Sequence, residues 1–182
     1  MKHKWLRRVA YLVPLTAVLV ATASAGAQGQ VTQDDSVERT VPAVLVPPAG
    51  NVLSSVFRAE GVQVYQCAAG AWAFLEPAAT LNGVGRGVAG RRTAIHFRGP
   101  SWESPNDGSL VEAKAVANSP VTGSIPELLL QATKNRGDGV FGHVTYVQRL
   151  ATRGGAAPTG ACTDGATAGV PYRAEYRFYT AG

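Results

Sequence analysis

From 144 to 150 the side chains alternate. Val144, Tyr146, Gln148 and Leu150 point one way; Thr145, Val147 and Arg149 point the other. Period two, with β-branched and aromatic residues dominating, predicts a strand. Apolar residues stand on both faces, as in a strand inside a sheet. Gly154-Gly155 ends it, because glycine enters left-handed backbone at little cost. Near the end of the chain Tyr172, Ala174, Tyr176 and Phe178 alternate with Arg173, Glu175 and Arg177. That pattern predicts an amphipathic strand near a sheet edge. Shorter runs precede these two. Residues 53–59 and 62–67 flank Glu60-Gly61, which reads as a turn or a bulge. Residues 71–75 place Trp72 and Phe74 on one face, and Pro77 ends the run. Residues 93–97, 101–103 and 110–116 follow, separated by Gly99-Pro100 and by the turn Pro105-Asn106-Asp107-Gly108.

One segment departs from period two. Ser124-Ile125-Pro126-Glu127 matches a capping box with proline in the first turn. Leu128, Leu129 and Leu130 follow, with Lys134 and Arg136 before Gly137. A short helix near 125–135 is expected, and a hydrophobic strand is the alternative. Many short strands with one helix predict a mainly β, single-domain protein, either a β-sandwich or a barrel-like sheet.

The leader changes the meaning of the charge. Lys2, Lys4, Arg7 and Arg8 precede a short apolar run from Val9 to Val20, and small residues follow at Ala23, Ala25 and Ala27. This is the pattern of a secretory signal peptide over 1–27, cut after Ala25 or Ala27. The run is too short for a stable membrane anchor. Residues 28–40 are polar and read as a flexible leader, and 41–182 as one secreted β domain. The chain has 17 Lys and Arg against 12 Asp and Glu. Removing the four basic residues of the signal leaves 13 against 12, a net charge of +1. The domain therefore lacks the clustered basic charge that nucleic acid requires. The expected location is extracellular, or periplasmic where an outer membrane exists.

Cys67 and Cys162 are the only two cysteines. In an exported chain such a pair reads as a disulfide; two separate buried thiols are the alternative. Loop-closure entropy assigns such a bridge roughly 4–5 kcal/mol.

The candidate chemistry is sparse. Gly85-Arg86-Gly87-Val88-Ala89-Gly90 fits G-x-G-x-x-G by letters. The dinucleotide fingerprint also needs a helix N-terminus after it, and a strand is expected there instead. No cofactor is therefore expected. His96, Glu103 and His143 lack the close ligand pair of a zinc site, so no metal is expected either. There is no G-x-S-x-G elbow, and Asp107 near Glu103 reads as a turn residue rather than half of a glycosidase pair. Aromatic residues offer the better route to binding. Trp102 sits between two forced turns, with Glu103 beside it and His96 within reach. An indole beside a carboxylate suits a sugar, whose apolar face stacks while its hydroxyls donate. The alternative is that Trp102 caps the β core and Glu103 pairs with Arg98.

Several segments in order resemble a known family. They are Gly61-Val-Gln-Val-Tyr-Gln-Cys67, His96-Phe-Arg-Gly-Pro-Ser-Trp-Glu103, Asp107-Gly-Ser109, Val144-Thr-Tyr-Val-Gln-Arg149, Gly154-Gly-Ala-Ala-Pro158 with Cys162, Pro171-Tyr172 and Tyr176-Arg-Phe-Tyr179. Together they resemble the secreted bacterial and fungal proteins catalogued as domain of unknown function 3455. The resemblance implies one secreted domain with a Cys67–Cys162 pair and carries no activity. Some fungal members bear a malate dehydrogenase label, which an exported chain without alternating β-α units does not fit. The expected role is extracellular binding, of a glycan or a cell-surface component, or a structural part of that surface. The alternative is a secreted hydrolase acting on envelope or plant-type polysaccharide.

Overall fold

In the computed structural model, which describes residues 40–86 and 90–182, every expected strand is present and the sheet closes on itself. The strands are β1 (Asn51–Ala68), β2 (Ala71–Gly85), β3 (Arg92–Phe97), β4 (Ser101–Glu103), β5 (Leu110–Ser119), β6 (Glu127–Arg136), β7 (Val144–Gly154) and β8 (Thr167–Ala181). Each pairs antiparallel with the next, and β8 pairs with β1 to complete a closed barrel. The fold is all-β, and of the two architectures expected it is the barrel. The segment expected to be a signal peptide and all but Thr40 of the expected leader lie outside the described residues, as do Gly87, Val88 and Ala89 of the glycine-rich segment. That segment leads from β2 into the strand β3, with no helix between Gly90 and Arg92.

Period two holds along β1. Ser55, Phe57, Ala59, Gln63, Tyr65 and Cys67 are buried, and their neighbours are partly or fully exposed. The 53–59 and 62–67 runs are one strand, not two. Gly61 continues it because a Cβ there would strike the carbonyl oxygen of Ala78 and the backbone of Ala79 on β2. The turn or bulge expected at Glu60-Gly61 lies elsewhere, between Val64 and Tyr65, where Leu75 is the extra residue on β2. β2 also runs on through Pro77 to Gly85. Pro77 lies beyond the last β2–β3 pair, Ala79–His96, so its missing N–H breaks no ladder to β3.

The helix expected near 125–135 is the strand β6. Leu128 and Leu130 face the barrel core, and Leu129 faces outward against Leu45 and Leu150. An apolar run buried on both faces suits a central strand, and tertiary burial overrides leucine's helical preference. The capping residues serve other partners. Ser124 Oγ donates to Gly154 O at 3.0 Å, and Glu127 Oε1 accepts the Ala151 N–H at 2.7 Å.

β7 differs from its sequence pattern in one further respect. Thr145 is an extra residue opposite β8, between the pairs Val144–Thr180 and Tyr146–Tyr179. Its hydroxyl is held at Asn51 Oδ1 (2.6 Å) and at Tyr179 O (3.1 Å). The bulge changes the face of everything after it. Val147 joins Val144 in the core, and Arg149 follows inward. Tyr146 and Leu150 turn outward beneath a 3-10 turn, Ala43–Leu45, where Gln148 Nε2 donates to Leu45 O at 2.6 Å. β8 is not an edge strand, since it pairs on both sides.

One end of the barrel is plugged. Phe57, Phe141 and Phe178 pack there, with the Phe141 and Phe178 rings 4.6 Å apart. At the other end Cys67 and Cys162 form a disulfide that ties β1 to the loop before β8. Gly154 and Gly155 both adopt positive φ (71° and 79°), as expected of that turn.

Candidate functional site

Above the aromatic plug the barrel opens into a cavity of about 580 Å³. Its floor is a layer of inward residues from four strands: Gln63 of β1, His96 of β3, Trp102 of β4 and Tyr176 of β8. Register creates that layer. His96 and Trp102 are direct cross-strand partners, and their rings stack at 4.4 Å, 4° from parallel. Tyr176 meets both rings edge-on, at 5.2 Å and 5.4 Å. All four floor residues are buried. Ile125, Leu128 and Leu130 form an apolar wall, and the β2 bulge brings both Phe74 and Leu75 to the cavity.

The wall carrying Ile125 is fixed to β7. Ile125 N donates to Gly154 O at 2.9 Å, and Thr152 Oγ1 donates to Ile125 O at 2.7 Å. Gly155 allows this closeness, since a Cβ there would lie 2.8 Å from Tyr172 Cβ and 3.0 Å from Gln63 Cγ. Tyr65 closes the same corner by donating to Gly155 O at 2.6 Å.

Charge in the cavity is limited to three residues, Glu76, Arg98 and Arg149. Arg98 Nε donates to Glu76 Oε2 at 3.0 Å, so those two neutralise each other. Arg149 donates from Nε (3.1 Å) and from one Nη (2.9 Å) to Pro126 O, a neutral acceptor. Among the described residues no carboxylate forms an ion pair with it. Burial lowers the His96 pKa to about 3, with the Arg149 charge adding to the effect and the Ser101 carbonyl opposing it. The ring is therefore neutral at ordinary pH. Ser101 O can only accept, so Nδ1, at 2.9 Å, carries the proton and Nε2 keeps its lone pair. Burial likewise raises the Tyr65, Tyr172 and Tyr176 hydroxyls, which stay protonated and able to donate.

One buried donor in the floor has no acceptor. Trp102 Nε1 makes no hydrogen bond, whereas the Gln63 side chain bonds the Tyr172 hydroxyl. Buried polar groups without partners are uncommon, and at a cavity surface they are places for an occupant to satisfy.

The three residues singled out from the sequence do not converge. His96 and Trp102 line the cavity, and Trp102 is buried with one ring face covered by His96. Glu103, next in a strand, points to the other face of the sheet. Its Oε1 accepts from Arg136 Nη2 at 2.7 Å, so its partner is Arg136 and not Arg98. His143 sits in an exposed loop 3.7 Å from Asp138. Asp107 serves its turn, accepting from the Ser109 N–H (3.0 Å) and hydroxyl (2.6 Å). Sequence reasoning did not single out Arg149, Gln63 or Tyr176. Arg149 carried a signal, a lone charge on the strand face it shares with Val147.

A family model described as "Protein of unknown function (DUF3455)" matches residues 48–180. No curated protein and no solved structure matches the chain.

Proposed function

The chain belongs to the DUF3455 family, and we propose that it is an exported, non-catalytic binding protein that holds one small molecule with an apolar body inside its barrel. The cavity carries this reading. At about 580 Å³ it falls in the usual range for small-molecule sites, mostly apolar with a few fixed polar groups. An eight-stranded barrel is also the size whose interior can hold one small ligand. The floor is built before any ligand arrives, because cross-strand register and ring stacking fix its side chains.

Export is supported by the leader pattern and by the Cys67–Cys162 bridge, which suits an oxidising compartment. The barrel's outer face carries charge pairs such as Glu60–Arg173 and Glu112–Lys134. A lipid-facing barrel would present an apolar band there instead. Of the sequence-derived binding residues, His96 and Trp102 are kept and Glu103 is set aside. The ligand meets the edge of the indole rather than an open ring face, so face-on stacking of a sugar is not the mode proposed.

The test uses N-phenyl-1-naphthylamine, a neutral apolar fluorophore. Its emission should rise saturably on mixing with the mature protein, with one site per chain. Ala115 lies at the cavity edge and is exposed. Ala115→Trp should fill the opening and abolish the rise with little change in melting temperature. No emission change with the unmutated protein, or equal binding by Ala115→Trp, would sink the reading.

A further inference from the structure

We propose, resting on the cavity reading above, that the occupant carries a carboxylate seated on the Arg149 guanidinium, with its apolar body against Ile125, Leu128 and Leu130. Arg149 enters the barrel because the Thr145 bulge turns it inward. It is half-buried there, and its charge reaches His96, Tyr65, Tyr172 and Tyr176. A cation withdrawn from water and left without a counter-ion is costly, and folded proteins ordinarily pair it. The Glu76–Arg98 pair is spent on itself, so the cavity side chains carry one uncompensated positive charge. One negative charge on the occupant balances it.

The geometry suits a planar anion. The Pro126 carbonyl fixes the guanidinium without neutralising it, and a guanidinium held still is a preorganised fork for a carboxylate. The second observation is independent of Arg149. Trp102 is 1% exposed, lines the same cavity, and holds a donor without an acceptor. A head group with two acceptor oxygens can satisfy it and still engage Arg149. A neutral alcohol brings a single oxygen, and no charge to Arg149.

The experiment displaces N-phenyl-1-naphthylamine with two competitors that share a ring system, 2-naphthoate and 2-naphthylmethanol. At pH 7 and low ionic strength the carboxylate should compete at least about tenfold more tightly than the alcohol, a ratio worth about 1.4 kcal/mol. Arg149→Gln should bring the two to parity while the dye still binds, and Arg149→Lys should retain part of the preference. On the unmutated protein the preference should vanish as pH falls below the ligand's own carboxyl pKa, about 4. That measurement, read at a pH where the dye still binds, decides the matter even if Arg149→Gln fails to fold. Equal competition by acid and alcohol at pH 7, or a preference that survives protonation of the ligand or the loss of Arg149, overturns the assignment and leaves the cavity reading standing. If the dye itself does not bind, both fail.

Discussion

His96 is a base that the fold keeps from protons. Its ring is pressed face to face on Trp102, edge-on to Tyr176, with Nδ1 given to Ser101 O. Burial holds its pKa near 3, against 6.5 for the free side chain. The unfolded chain therefore takes up a proton between pH 6.5 and about 3 while the folded chain does not. Stability rises with pH wherever the unfolded state binds more protons, so it falls as pH drops through this window. The full loss is on the order of 5 kcal/mol, the gap between 6.5 and about 3 at about 1.4 kcal/mol per pH unit. His96→Gln should flatten that part of the profile, measured as melting temperature against pH beside the unmutated protein. Parallel profiles would show that His96 does not titrate on unfolding. At this scale the sequence was partly legible. The proximity of His96 to Trp102 follows from Gly99-Pro100 reversing the chain between them. The inward placement of Arg149 does not follow from strict alternation, because one extra residue at Thr145 reverses the face and nothing in the residue types marks it.

Among the elements, β6 shows most clearly what local pattern omits. A capping box and three leucines specify a helix only if one side of the segment meets water. Here the barrel lies on one side and the 3-10 turn Ala43–Leu45 on the other, so a strand with both faces covered buries all three leucines at least partly. The same covering explains β7. Ala151 takes a positive φ of 50° at a bulge, and its N–H is satisfied by the Glu127 carboxylate of β6. Strand existence was legible almost throughout, because alternation is a local property. Strand length was not: Gly61 and Pro77 look like stops, yet close approach to β2 and the lack of a β3 partner let the chain run through them. The segment before β1 is thus a structural cover on the sheet's outer face. Leu45 is fully buried against Leu129 and Leu150. Leu45→Ala should destabilise by about 2–4 kcal/mol, the usual cost of such a truncation in a core. Chemical denaturation would measure it, and a loss below about 0.5 kcal/mol would place this segment outside the cooperative unit.

For the whole molecule, closure separates what the sequence says from what the barrel does. Alternating strands and turn signals leave sandwich and barrel equally open, since the deciding pair, β1 with β8, joins residues more than a hundred positions apart. The cavity belongs to that scale as well. Its floor draws on β1, β3, β4 and β8, so no single stretch of sequence displays it. The disulfide was legible because two cysteines behind a leader that reads as a secretory signal admit few arrangements. That same closing pair has a consequence in time. Until Thr167–Ala181 is available, β1 and β7 are bare edges and the cavity has no fourth side to its floor. Both cysteines precede this last strand, so the bridge needs none of it to form, whereas the barrel cannot shut without it. Pairing across so long a separation is slow. In refolding followed by pulsed hydrogen exchange, amides of β1 that bond to β8 should gain protection after those that bond β5 to β6; simultaneous protection would refute this order. A chain that emerges from its first residue is therefore an open sheet for most of its synthesis, and encloses its cavity only when the fifteen-residue strand β8 arrives.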